Sequence, residues 1–81
     1  MGKEQVWQDR ARDAYRAALA ELRQRWSGQQ EGQVEIFKEE LEEALLDLKQ
    51  AVIDGREADA FRYEREVTIT LTDLRRLSEN P

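Results

Sequence analysis

The stretch EELEEALLD, residues 39–47, places five carboxylates within nine residues. On a helix, Glu39 and Glu43 are neighbours one turn apart, and Glu40 and Asp47 share a face two turns apart. Carboxylates in that arrangement can bind a hard cation through oxygen or move protons. A carboxylate-bridged di-iron bundle would also carry a Glu-x-x-His repeat, and the chain has no histidine. It has no cysteine either, so the commonest general base, the thiol nucleophile and the thiolate metal ligand are all missing. Ser27 and Ser78 fall at expected helix ends, outside any nucleophile-elbow pattern. Ten arginines outnumber three lysines, and a bidentate guanidinium could hold an anionic substrate. Yet Arg23, Arg25, Arg75 and Arg76 cluster near two expected helix C-termini, where cations favourably oppose the helix dipole. The sequence therefore names no catalytic, cofactor-binding or metal-ligating residue, and points to a non-enzymatic protein.

The elements carrying these groups are helical by composition. Ala, Glu, Lys, Leu and Arg make up 43 of the 81 residues, a share typical of long helices and coiled coils. The length allows one domain, 1–81, with a modest core. Leu, Ile, Val and Phe number only 18, so that core has little to spare. The interruption SGQQEG at 27–32 and Gly55 divide the chain into three segments, giving helices over about 4–26, 30–53 and 56–78. Ser27 or Asp54 is expected to cap the helix that follows, Asp54 with Glu57 at capping-box spacing. The closing SENP reads as a frayed end.

Each segment has an apolar stripe at helical spacing. In the first it is Ala11, Ala14, Tyr15, Ala18, Leu22 and Trp26, mostly small residues that let a neighbour approach closely. In the second it is Val34, Phe37, Leu41, Ala44, Leu45, Leu48 and Val52. The third holds VTITLT at 67–72, which alternates apolar and hydroxyl residues as a half-buried strand would. The helical reading runs further, through Ala60, Tyr63, Val67, Leu71, Leu74 and Leu77, and a lone strand would leave its backbone groups unpaired. A helix is therefore expected there, with Val67 and Leu71 packed inward and Ile69 left over. Its β-branched middle has poor helix propensity, so it should be the least stable of the three.

The three segments carry net charges of +2, −5 and −1, and Asp54 completes the total of −5. Short loops join antiparallel neighbours, and opposite charges suit the first helix lying beside the second. The expected fold is all-α, a three-helix up-down-up antiparallel bundle. Apolar residues off the stripes, Leu46 and Ile53 on the second helix, Phe61 and Ile69 on the third and Trp7 on the first, suggest a second contact surface. They are the interface candidates. The chain has no apolar run long enough for a signal peptide or a membrane span, so a cytoplasmic location is expected. Negative charge argues against direct binding to nucleic acid or anionic lipid. The expected partners are a second copy, as a homodimer, and another protein. An alternative function is an acidic decoy, antitoxin-like or anti-defence, presenting carboxylates to a basic nucleic-acid-binding surface.

Overall fold

A computed structural model describes residues 3–79. They form three α-helices of equal length: α1 (Lys3–Arg25), α2 (Gly32–Asp54) and α3 (Glu57–Glu79). No strand occurs among the described residues. Asn80 and Pro81, half of the expected frayed end, lie outside them, and Ser78 before them is helical.

The turns explain the boundaries. Gly55 sits at φ 72°, the left-handed conformation that a Cβ penalises. Its N–H donates to the Val52 carbonyl at 3.2 Å and that of Arg56 donates to Ala51 at 2.9 Å, which together close α2 in a Schellman motif. Asp54 is consequently the last residue of α2 rather than the cap of α3, and its carboxylate accepts from Gln50 at 3.0 Å and faces Arg56 at 3.5 Å. Ser27 does not cap α2 either. Gly32, at φ 63°, delays that helix by two residues, and Glu31 occupies the cap position without a side-chain bond. The Gly28 carbonyl instead accepts from Gln30 and from Lys38, which ties the loop to the first turns of α2.

The core is continuous from one end to the other. Leu41, Leu48 and Leu74 are its largest fully enclosed side chains, with Val67 and Leu71 from α3, Ala11, Ala18 and Leu22 from α1, and both tryptophans around them. No polar or charged residue among those described is buried. The segment 67–72 is helical throughout: Val67 and Leu71 are buried, and Thr68 and Thr72 each donate a hydroxyl hydrogen bond to the carbonyl four residues back, at 3.1 and 2.8 Å. Those bonds give two of the three threonine hydroxyls a partner within the helix, while the burial of Val67 and Leu71 holds the strand-like sequence helical.

Helix α1 packs against α2, as the charges suit, and also against α3. The most extensive helix contact is between α2 and α3, and no ion pair joins α1 to α2 among the described residues. Exposed charge pairs contribute a few tenths of a kcal/mol, whereas each large side chain buried on α2 contributes about 2 kcal/mol. Apolar area therefore decides the pairing. Between α1 and α3, Glu21 accepts two hydrogen bonds from Arg75, at 2.8 and 2.7 Å, and a third from Arg25 at 3.1 Å. Near their C-terminal ends the buried Trp26 indole N–H donates to the Ser78 hydroxyl at 3.1 Å.

Candidate functional site

Trp7 belongs to the core, not to an outer surface: it is 7% exposed and clusters with Ala11 and Ala18. The buried stripe of α1 is centred on Trp7, Ala11, Ala18 and Leu22, one turn or two apart, while Tyr15 is half-buried at its edge. Trp7 therefore lies on the stripe of α1 rather than off it, because the buried face is centred nearer Ala11 and Ala18 than Tyr15. The other four candidates are exposed, Leu46 by 65%, Ile53 by 65%, Phe61 by 42% and Ile69 by 52%.

These four do not share one surface. Ile53 lies in a groove between α1 and α2, with Tyr15 and Val52 as apolar walls and Arg12, Arg16 and Lys49 around them. Leu46 precedes Lys49 by three residues and Ile53 by seven, so it extends the same strip of α2. Ile69 lies in a second groove, on the opposite flank of α2, between α2 and α3. Ala44 and Thr70 form its floor, and Glu40, Glu43, Asp47 and Glu66 line it. None of these four carboxylates has an ion-pair partner among the described residues. Phe61 is apart from both, beside Val6 and Trp7, with the Arg10 guanidinium 5.0 Å from its ring centroid.

Two exposed apolar residues escaped the sequence reading. Val6 adjoins Phe61, and Ile36 stands four residues before Glu40 and seven before Glu43, which continues the acidic strip along α2. The signal for Ile36 is that i, i+4, i+7, i+11 alignment with Glu40, Glu43 and Asp47, a polar strip on which a single isoleucine stands outside the apolar stripe.

Among the described residues no cluster of three or more carboxylates converges to hold a metal ion. The sharpest electrostatic feature is Glu21, whose carboxyl is held below its ordinary range by the Arg75 hydrogen bonds, with Arg25 adding to the effect. Arg75 is correspondingly shifted up by Glu21. Among the described residues, no helix is long and apolar enough to cross a membrane. The arrangement offers two grooves of opposite charge, each centred on an exposed isoleucine. No known family model, curated protein or solved structure matches this chain.

Proposed function

We propose that the protein is a small non-catalytic interaction module that acts through the outer faces of an up-down-up helical bundle and associates with copies of itself, a homodimer being the smallest assembly. The up-down-up course accounts for Arg10 lying over Phe61 near the starts of α1 and α3, and for Trp26 meeting Ser78 near their ends. The observation carrying the functional reading is the exposure of Leu46, Ile53 and Ile69 on helices whose inner faces are already satisfied by a continuous core. Large apolar side chains grouped beside unpaired charges suit contact with another protein surface. A dilution series followed by methyl nuclear magnetic resonance tests this. The methyl signals of Leu46, Ile53 and Ile69 should move with concentration, while those of Leu41, Leu48 and Leu74 stay fixed. Spectra independent of concentration would contradict self-association.

The unpaired line of Glu40, Glu43, Asp47 and Glu66 supports a second reading, an acidic decoy for a basic nucleic-acid-binding surface. Such binding would need a basic partner and would weaken steeply with salt, whereas self-association would show in the protein alone.

A further inference from the structure

From the two grooves on opposite flanks of α2, we infer that the partner of each is the other groove on a second copy of this chain, in a head-to-tail contact. The inference rests on the self-association proposed above and specifies its geometry. In the α2/α3 groove, Ile69 is surrounded by Glu40, Glu43, Asp47 and Glu66. In the α1/α2 groove, Ile53 and Tyr15 are surrounded by Arg12, Arg16 and Lys49. Arg16 and Lys49 have no ion-pair partner among the described residues, and Arg12 reaches only Asp9, at 3.5 Å with both groups exposed.

A two-fold contact through either groove sets like charges against like. Four carboxylates would meet the same four, or three cations the same three, and such juxtapositions are strongly unfavourable. Pairing the unlike grooves brings carboxylates to guanidinium and ammonium groups while the two isoleucines cover one another. Because the two grooves lie on opposite flanks of α2, a contact made once per pair leaves one groove free on each copy and propagates to a ring or an open chain, whereas a two-fold pair would have to make both contacts at once. The patches are also offset. Their centres on α2 are about eight residues apart, roughly 12 Å along the axis at 1.5 Å per residue, so successive copies are staggered.

The test uses two double variants of the full chain. Ile69→Gln with Glu66→Gln disables the acidic groove, and Ile53→Gln with Lys49→Gln disables the basic one. All four positions are exposed, so far-ultraviolet circular dichroism should match the wild type. If either variant loses helicity, the charge-only pairs Glu43→Gln with Glu66→Gln and Arg16→Gln with Lys49→Gln replace them, with the same expectations. In sedimentation velocity the wild type should grow past two copies as concentration rises, with association weakened about tenfold or more between low and high salt. Each variant alone should stay at the mass of one chain. Their equimolar mixture should reach the mass of two chains and stop, since one variant supplies each intact groove. A variant that still assembles by itself would overturn the head-to-tail contact while leaving self-association standing. A wild type that never associates would overturn both.

Discussion

At the scale of single residues, the inward and outward sides of one helical segment carry different roles. Leu71 is buried and Ile69, two residues earlier, is exposed. Leu71→Asp places an unpaired charge in the core and should cost about 3 kcal/mol or more, enough to abolish the α3 signal in circular dichroism of so small a chain. Ile69→Asp should leave helicity unchanged and weaken assembly. Equal loss of helicity in both would mean the faces of α3 are misassigned. Glu21 provides the pH-sensitive contact. Its folded-state carboxyl is depressed by Arg75, so its stabilisation is present above the ordinary carboxylate range and is lost as pH falls through the depressed value. Glu21→Gln should therefore destabilise the protein by up to about 1 kcal/mol near neutrality, with the difference from wild type vanishing at acid pH. Urea unfolding at pH 7 and pH 2.5 reads that difference directly.

At the scale of elements, the glycine turn and the order of opening give separate tests. A Cβ at Gly55 meets no atom within 4 Å, so Gly55→Ala incurs only the conformational penalty of a left-handed residue, about 1 kcal/mol. Chemical denaturation should show that loss with no change in assembly. Hydrogen exchange should find α1 opening first, because α2 and α3 make the most extensive contact and the face of α1 is rich in alanine. Slower exchange in α1 than in α3 would restore the expectation drawn from the β-branched middle of α3. That expectation shows what was legible in the sequence. The helical period through Val67, Leu71 and Leu74 identified the inner face of α3, because burial demands one continuous stripe. Local preference speaks only to each helix alone, whereas the order of opening also depends on how much each helix buries against the others. The caps at Ser27 and Asp54 failed for a related reason: glycine geometry at residues 32 and 55 set the turns first.

At the scale of the whole molecule, the core takes both tryptophan rings and the outer flanks keep the isoleucines. Leu46, Ile53, Phe61 and Ile69 could be picked out as exceptions to the stripes, but their division among three places depends on how the helices pack. The same holds for the charges. Segment totals suggested that α1 and α2 attract, whereas the structure collects cations on one side of α2 and carboxylates on the other, leaving both free of ion pairs within that contact. Surplus charge beside exposed isoleucine is the feature on which the account depends. Molar mass by light scattering over a concentration series, at low and high salt, tests it most directly. The account predicts a mass above that of one chain which rises with concentration and falls as salt is added. One chain's mass at every concentration and salt would contradict it.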